Sequence, residues 1–467
     1  MKHIPPCLLW SATRIAHEIR QSQITCMEIV EASLDRIHEV NPIINAAVQI
    51  VSERACQEAE NLDRMAAQGR FRGPLHGVPI SIKDSLDTEG VVTTGGTLGR
   101  KSFVPLKDAP VVKRLRDAGA VLVAKTNTPE LTLGGETDNL IYGRTNNPYD
   151  LKRSPGGSSG GSVALVAAGG SALELGSDTG GSIREPAHLC GVAGMKPTSG
   201  RTPRTGHIIP YGTGVLDSLT QIGPIARYVE DLELALNLIC GPDGRDPSVI
   251  PMPPTNSDEV DLNNLRIAYY TENGIVPLDQ EIKRVILHTA TTLDQEGLRI
   301  EPNTLPNMPR MADLLGELRK AATGAAARRL LKQYGTTQPG PDLNRYFDNS
   351  SLDSNPKVDT SLMESIDQER SNALAFMQNY DAILCPPSHA LARPHGASVD
   401  DNYKHWSYIT LHNLLGWPAS VVRAGTSDTG KLPIGVQVVA APWREDIVLA
   451  LAKKIETPTG GYQPPEI

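Results

Sequence analysis

Several patterns that mark common kinds of site are missing from this chain. No two of its six cysteines form a C-x-x-C pair, and its eleven histidines form no H-x-H or H-x-x-x-H pair. Cysteines spaced this widely predict reduced thiols rather than a disulfide framework, and no metal site is expected. The glycine-rich segments lack both the lysine of a phosphate-binding loop and the G-x-G-x-x-G spacing of a dinucleotide-binding loop. We therefore expect no cofactor.

Long apolar runs and an excess of basic charge are also missing. No stretch approaches the roughly 18 apolar residues that a membrane helix needs, and residues 1–10 contain no long apolar run of a signal peptide. The formal net charge is −8, and no dense stripe of lysine and arginine occurs. We therefore expect a cytoplasmic protein that binds neither membranes nor nucleic acids. The sequence leaves the oligomeric state open, with a homodimer as one option.

Two segments rich in glycine and serine are the most informative feature that is present. They read SPGGSSGGS over residues 154–162 and GSDTGGSIR over residues 176–184. Glycine lets the backbone bring its N–H groups close to a ligand. A serine between such glycines therefore places its hydroxyl group beside backbone hydrogen-bond donors. Acyl-transfer chemistry needs this arrangement. A flexible linker would explain one such segment, but an apolar stretch at 163–168 and a strand-like stretch at 172–175 separate the two.

The rest of the chain predicts alternating helices and strands. Apolar residues recur at helical spacing over about residues 11–57, and a helix-like stretch at 108–118 precedes a strand-like one at 120–125. A helix followed by a nearly continuous apolar strand is typical of an α/β fold with a covered sheet. Further strands are predicted at 77–83, 172–175, 265–270, 381–385, 419–423 and 434–439, short strands or loop edges at 191–196 and 222–226, and helices at 279–295 and 444–455. Residues 311–380 are predicted to be a mostly helical inserted cap with a polar patch at 335–359.

A serine nucleophile needs a base, and Lys83 is the best candidate in this sequence. A serine hydroxyl is a weak nucleophile near neutral pH, and no histidine accompanies the glycine clusters in a G-x-S-x-G elbow. Burial disfavours the charged form of a lysine and can leave it neutral. Lys83 ends the apolar run VPISI, at the carboxyl edge where α/β folds place their sites. The alternative is a solvated lysine paired with Asp84.

These motifs together resemble the amidase signature family of amide hydrolases. GSDTGGSIREPA at 176–187 and the glycine-serine core at 156–162 match the family signature almost letter for letter. GVPISIKD at 77–84, GRTNNP at 143–148 and GMKPTSGR at 194–201 fit in the same order. The resemblance extends from about residue 11 to the LPIG sequence at 432–435.

The resemblance implies the architecture of the whole chain. It implies an α/β fold with a large, mixed, twisted central β-sheet covered by helices on both faces. It also implies a single domain over residues 1–467. Within this domain it predicts an N-terminal helical layer at 11–75, the signature core at 76–240 and the inserted helical cap at 305–380.

The resemblance also implies a Ser–Ser–Lys catalytic triad. Ser182 matches the nucleophile, Ser158 matches the bridging serine that a cis peptide bond commonly holds, and Lys83 matches the base. Asp178 and Arg184 are predicted to brace the nucleophile loop rather than to react.

Further residues carry over to the oxyanion hole and the acyl pocket. Backbone N–H groups of Thr179, Gly180 and Gly181 would hold the tetrahedral oxyanion. Thr132 and Leu133 would line the acyl pocket. With four Phe and four Trp in the chain, this pocket is predicted to be aliphatic rather than aromatic.

The interpretation we favour is a hydrolase that acts alone on a medium-sized amide, anilide or carbamate. The tRNA-dependent amidotransferase members of this family usually carry a basic RRIMLG-like stretch, which ARRL at 327–330 matches only weakly. A catalytically silent amide-binding protein of the same fold is a further alternative, and the intact Lys83, Ser158 and Ser182 argue against it. A metal-dependent amidohydrolase is disfavoured for want of ligand spacing.

Overall fold

A large mixed β-sheet lies at the centre of the molecule in the computed structural model, which describes residues 4–348, 360–397 and 403–467. Within the described residues, its eleven strands are β1 (Ala47–Ile50), β2 (Pro79–Lys83), β3 (Val121–Thr126), β4 (Leu173–Asp178), β5 (Ala193–Lys196), β6 (Gln221–Ala226), β7 (Arg266–Tyr269), β8 (Arg299–Pro302), β9 (Ala382–Cys385), β10 (Ala419–Thr426) and β11 (Pro433–Ala440). Their order across the sheet is β1-β3-β2-β4-β6-β5-β10-β11-β9-β7-β8. The predicted α/β architecture with a mixed central sheet is confirmed.

Helices pack against this sheet and against one another. Over the described residues they are α1 (Ala12–Arg20), α2 (Cys26–Ile44), α3 (Ser52–Ala66), α4 (Pro110–Asp117), α5 (Gly160–Ala167), α6 (Arg184–Leu189), α7 (Val215–Ser218), α8 (Val229–Ile239), α9 (Gln280–Gln295), α10 (Met308–Tyr334), α11 (Pro341–Asp348), α12 (Thr360–Phe376), α13 (Ser407–Leu414) and α14 (Glu445–Thr459). None of the helices in this part of the chain is long and apolar enough to cross a membrane.

The centre of the sheet brings two strand ends together. Strand β2 lies between β3 and β4 and runs parallel to both. Parallel strands end at the same edge of a sheet, so Lys83 at the end of β2 lies near the last residues of β4, where its Nζ is 3.1 Å from Oγ of Ser177. The two glycine-serine segments also lie here: α5 begins inside the first, at Gly160, and α6 begins at Arg184, the last residue of the second. This edge is where the fold assembles a site.

Two strands were not predicted from the sequence, and both are edge strands. β1 falls inside residues 11–57, for which only helices were predicted, and β8 follows α9. Each is four residues long and pairs with a single neighbour, β3 or β7. Asn45, with a left-handed φ of 48°, ends α2 and lets the chain turn into β1. Short edge strands carry little apolar periodicity, which explains why the pattern did not indicate them.

The predicted helical cap is present as α10, α11 and α12, and residues 349–359 of this prediction lie outside the described residues. A separate apolar cluster joins the cap to the core. Its buried members from α10 and α11 are Ala326, Ala327, Leu330, Leu331 and Leu343, and those from core loops and α7 are Leu131, Leu133, Ile208, Ile209 and Leu216. The cap is therefore packed onto the loop at residues 131–133, close to the second glycine-serine segment.

Candidate active site

The side chain of Lys83 ends in a shell of hydroxyl groups. Its Nζ lies 2.7 Å from Oγ of Ser158, 3.0 Å from Oγ of Ser159 and 3.1 Å from Oγ of Ser177. The whole residue is buried, with 0% of its surface exposed. The backbone of β2 carries this lysine to the sheet edge, and the three serines come from the first glycine-serine loop and the end of β4.

Burial changes the protonation of this amine. Desolvation lowers the pKa of Lys83 from 10.5 to about 7, while the nearby carboxylates of Asp178 and Glu174 act in the opposite direction. Near neutral pH a large fraction of the amine is therefore unprotonated. The alternative pairing with Asp84 is not observed, because the Asp84 carboxylate accepts from the N–H and the hydroxyl of Thr94 instead.

The first glycine-serine loop is packed so closely that side chains would not fit. A Cβ on Gly161 would collide with the backbone nitrogen of Asn127. The peptide bond between Gly157 and Ser158 is cis. The Ser159 N–H donates to the carbonyl oxygen of Ser182 at 3.1 Å, which ties the two glycine-serine loops to each other. Ser158 and Ser182 thus lie on two loops that are hydrogen-bonded to each other.

Ser182 stands between β4 and α6 at the wall of an open pocket. It is partly exposed, whereas Ser158 and Lys83 are buried behind it. Its neighbour Gly181 has a φ of +105°, and a Cβ there would lie 2.5 Å from Cγ2 of Ile409. Only glycine accepts both that backbone conformation and that contact, so this position shapes the turn that presents Ser182.

The predicted oxyanion donors do not all point to the pocket. The Gly181 N–H donates to Oδ1 of Asp178 at 2.8 Å, and the Ile183 N–H to Oδ2 of the same carboxylate. The N–H groups of Gly180 and Ser182 have no acceptor among the described residues. Thr179 and Gly180 both line the pocket. In this arrangement, Gly180 and Ser182 offer donors, whereas the Gly181 donor holds the turn together.

One buried arginine holds the turn that carries Ser182, on the side away from the pocket. Arg184 contacts Asp178 through Nε at 2.9 Å and through Nη2 at 3.0 Å, and both side chains have no exposed surface. Arg184 also donates to Asn413 on α13 and to Gln437 on β11. Burial by itself would raise the pKa of Asp178. The charge of Arg184, its hydrogen bonds to the carboxylate and the hydrogen bond that Nδ2 of Asn413 donates to Oδ1 outweigh that effect and hold this pKa well below its usual range. Both residues hold the loop, as predicted for them, and neither lines the pocket.

The pocket in front of Ser182 contains about 560 Å³ of free space and opens to solvent. Thr132 and Leu133 line it, together with Leu216 and with Thr323 of α10. Leu131 and Thr132 have left-handed φ values of 52° and 59°, which turn this wall toward the pocket. The Thr132 hydroxyl is buried and has no hydrogen-bond partner among the described residues.

Sequence reasoning missed three kinds of residue at this site. Ser177 contacts Lys83 and could have been found as the penultimate residue of the strand parallel to β2. Arg319 and Trp406 line the pocket from α10 and from the short 3-10 helix Tyr403–Trp406. Glu185 also lines it and accepts from Nε1 of Trp406 at 3.1 Å. No local pattern identified Arg319 and Trp406, since the tertiary fold alone brings α10 and residue 406 to the pocket. Glu185 lies within the GSDTGGSIREPA motif, three residues after Ser182, and its position there could have indicated it.

A family model for amidases matches residues 28–449 of the chain. The chain belongs to the amidase family. The A subunit of the glutamyl-tRNA(Gln) amidotransferase from Carboxydothermus hydrogenoformans is 34% identical over 96% of this chain and 97% of its own length. The indoleacetamide hydrolase of Bradyrhizobium diazoefficiens is 32% identical over 97% of this chain and 87% of its own length. The structure of 6-aminohexanoate cyclic dimer hydrolase superimposes on this amidase with a TM-score of 0.88 and 26% identity, covering 98% of this chain and 99% of that one.

Proposed function

We propose that this amidase-family enzyme hydrolyses an amide through a covalent acyl intermediate on Ser182. The observation that carries the proposal is the fully buried Lys83, with Nζ 2.7 Å from the Ser158 hydroxyl, behind a partly exposed Ser182 on the adjoining loop. A lysine whose pKa burial lowers to about 7 can act as a base near neutral pH.

The proton moves along these three side chains in both directions. Neutral Lys83 accepts the proton of Ser158, Ser158 accepts that of Ser182, and Oγ of Ser182 forms a bond to the carbonyl carbon of the amide. When the C–N bond breaks, the proton returns from Lys83 through Ser158 to the leaving nitrogen, which departs as a neutral amine or ammonia. In the second half-reaction a water molecule loses a proton by the same route and its oxygen bonds to the acyl carbonyl carbon. When the C–O bond to Ser182 breaks, the proton returns from Lys83 through Ser158 to Oγ of Ser182, and the carboxylic acid leaves.

Backbone donors at the turn stabilise the oxyanion that forms in both half-reactions. The N–H groups of Gly180 and Ser182 have no acceptor in the described structure, so they are the donors that we assign, with Thr179 beside them on the pocket wall. A preorganised donor of this kind typically lowers the barrier by about 3 kcal/mol. Gly181 contributes through the turn itself, since its N–H is held by Asp178.

The pocket favours a medium-sized substrate: an amide, an anilide or a carbamate. Leu133 and Leu216 give it an aliphatic wall, and Trp406 is the one aromatic residue among the described residues that line it. Thr132 and Leu133 would then contact the acyl group. This supports a short acyl chain rather than a long aromatic-lined tunnel.

Substitution of the nucleophile tests the mechanism. Ser182→Ala should lower kcat by at least about a thousandfold, because it removes the hydroxyl that forms the acyl bond. Ammonia or amine release and labelling by a fluorophosphonate both measure this, with the label expected on Ser182 alone. Ser102→Ala, at an exposed position, is the matched control and should keep both. Robust turnover by the Ser182 variant would overturn the mechanism, and an unlabelled wild-type protein would favour a silent amide-binding protein.

A second candidate function follows from the relatives. The amidotransferase chain of C. hydrogenoformans is matched over almost the full length of both proteins. By analogy, this chain would release ammonia from glutamine as one component of an assembly that acts on tRNA. Release of ammonia from simple amides by the chain alone favours the hydrolase, whereas activity confined to glutamine in the presence of partner proteins favours the amidotransferase.

A further inference from the structure

A buried carboxylate joins the cap to one wall of the pocket. Glu130 is 7% exposed and directly precedes the loop at 131–135. Its Oε2 accepts from the N–H of Gly340 at 2.6 Å, in the linker between α10 and α11. Its Oε1 accepts from the hydroxyl of Thr97 at 2.7 Å. The carboxylate therefore binds a residue of the cap and a residue of a core loop at the same time.

The hydroxyl of Thr336, in the same linker, extends this connection. A hydroxyl group has one proton, so Thr97, which donates its proton to Glu130, accepts the proton of Thr336 at 2.6 Å. The Thr336 oxygen in turn accepts from the N–H of Gly99 at 2.9 Å. We call Thr97, Glu130, Thr336 and Gly340 the clasp. All of its members are buried.

Hydrogen bonds alone compensate the Glu130 carboxyl group for its loss of water. Burial raises the pKa of this group, whereas the hydrogen bonds from Gly340 and Thr97 act in the opposite direction. Within the part of the chain that the structure describes, no basic side chain forms an ion pair with it. Moving the linker away from Glu130 would leave a buried carboxyl group short of a donor, which is unfavourable. The clasp therefore favours a cap that stays in contact with the core.

The loop that follows Glu130 forms one wall of the pocket. Leu131 and Thr132 have left-handed φ values of 52° and 59°, a conformation that persists only where the surrounding structure holds it. Residues 132–135 then line the pocket that contains Ser182. Glu130 itself is not among the lining residues, so any effect that it has on a substrate must pass through this loop.

We propose that Glu130 is a positioning residue for the acyl group. By holding the linker between α10 and α11, it fixes the 131–135 wall relative to the cap, and with it the length of acyl chain that the pocket accepts. The opposite wall includes Thr323 of α10, so the space between the two walls depends on how the cap is attached. The inference rests on the proposed acyl transfer to Ser182 and adds a determinant of its selectivity.

Methanesulfonyl fluoride and hexanesulfonyl fluoride test the inference without a known substrate. Both reagents sulfonylate a serine nucleophile, and they differ in the length of the alkyl chain that takes the place of the acyl group. Mass spectrometry of the intact protein gives a second-order rate of modification for each reagent. The readout is the ratio of the hexyl rate to the methyl rate. We expect this ratio to exceed about ten in the wild-type enzyme, because the additional methylene groups are buried in the pocket.

Two substitutions open the clasp from opposite sides. Glu130→Gln places an NH2 group opposite one of the two donors, so it should lower the hexyl-to-methyl ratio by about tenfold. Thr336→Val removes the hydroxyl on the cap side, leaves the carboxyl group in place and should lower the ratio in the same direction. The methyl rate should change little in both variants, since neither residue contacts Ser182.

Each variant has a matched control at an exposed position. Thr337→Val changes the residue next to Thr336, and Glu60→Gln makes the same chemical change on α3. Both controls should keep the wild-type ratio. A thermal unfolding curve establishes that each variant is folded at the assay temperature.

Three results would overturn the inference. They are a wild-type ratio near one, an unchanged ratio in the folded Glu130→Gln and Thr336→Val variants, and an equal loss of the hexyl and methyl rates in both. The last result would show a general effect on the site rather than on the acyl wall. If neither sulfonyl fluoride nor a fluorophosphonate modifies Ser182 in the wild-type protein, the proposed function is refuted instead.

Discussion

The chemistry of Lys83 depends on what surrounds its amine. Three serine hydroxyls solvate Nζ in place of water, and two carboxylates lie close enough to favour the charged form. One of them, Glu174, is itself buried on β4, and burial raises its pKa to about 7 although Ser81, Thr126 and Ser162 hydrogen-bond to it. Burial therefore brings the pKa values of both groups to about 7, and the Glu174 carboxylate acts to raise the pKa of Lys83.

The pH dependence of activity should report this lysine. Because the neutral amine is the base and the pKa is about 7, kcat/KM should rise as pH increases through 7 and level off above it. Glu174→Gln removes a carboxylate that raises the pKa of Lys83, so the acidic limb should move to lower pH. A pH profile of kcat/KM measures both effects.

The control for this shift is Glu445→Gln, which removes a buried carboxylate that acts on the pKa of Lys196 instead. In this control variant, the acidic limb of the kcat/KM pH profile should stay at the wild-type pH. A limb that stays in place in the Glu174 variant would contradict the assignment of the titration to Lys83.

The nucleophile turn between β4 and α6 is held by elements that are far apart in sequence. Arg184 connects the turn to α13 through Asn413 and to β11 through Gln437. Ile409 on α13 packs against Gly181 at the centre of the turn. The turn is therefore rigid because two distant elements, α13 and β11, hold it, and its donors keep their direction as the oxyanion forms.

Gly181→Ala should damage the site without unfolding the protein. The new Cβ would meet Ile409 and force a residue with a side chain into a φ of +105°, so the turn must move. We expect kcat to fall by roughly a hundredfold or more, as for loss of an oxyanion donor. Steady-state kinetics and a thermal unfolding curve measure the two effects. Gly297→Ala is the control, since this glycine has a φ of +91° with nothing within 4 Å of the added atom, and it should keep full activity. Full activity in Gly181→Ala would show that the turn tolerates a side chain.

At the scale of the whole molecule, the pocket lies where the cap meets the sheet. In the described part of the chain, one eleven-stranded sheet carries the lysine and both serine loops on one side of the pocket. Helix α10 supplies the opposite wall of the pocket with Arg319 and Thr323. The apolar cluster around Leu330 fastens this wall to the loop at 131–133. Stability of the cap and shape of the pocket are therefore coupled.

Leu330→Ala should lower both the stability of the cap and the affinity of the pocket for substrate. Removing a buried leucine usually costs about 2–5 kcal/mol, so the unfolding midpoint should fall, and KM should rise because the cluster also holds Leu131 and Leu133 at the pocket. Thermal unfolding and steady-state kinetics provide the measurements. Leu287→Ala removes a leucine that is 40% exposed on α9 and should change neither by much. An unchanged KM in the Leu330 variant would separate the cap from substrate binding.

Local sequence patterns predicted most of the sheet and the two serine loops. Strands such as β3 and β11 are continuous apolar runs, and the pattern located them to within one or two residues. The edge strands β1 and β8 were not predicted, because a strand of four residues that pairs with one neighbour shows little apolar periodicity. Arg319 was not predicted, since a long helix that crosses the pocket leaves no local trace. Ser177 was overlooked, although its place near the end of the strand parallel to β2 indicated it.

The sequence by itself determined which groups are available: a lysine at the end of an apolar strand and serines among glycines that permit tight turns. Only the tertiary structure decided that the pKa of this lysine falls to about 7, since desolvation comes from residues distant in the chain. The same holds for the pocket. A guanidinium on α10 reaches Gly180 because the cap folds back over the sheet, and helical periodicity specifies one face of a helix but not the partner to which that face is directed.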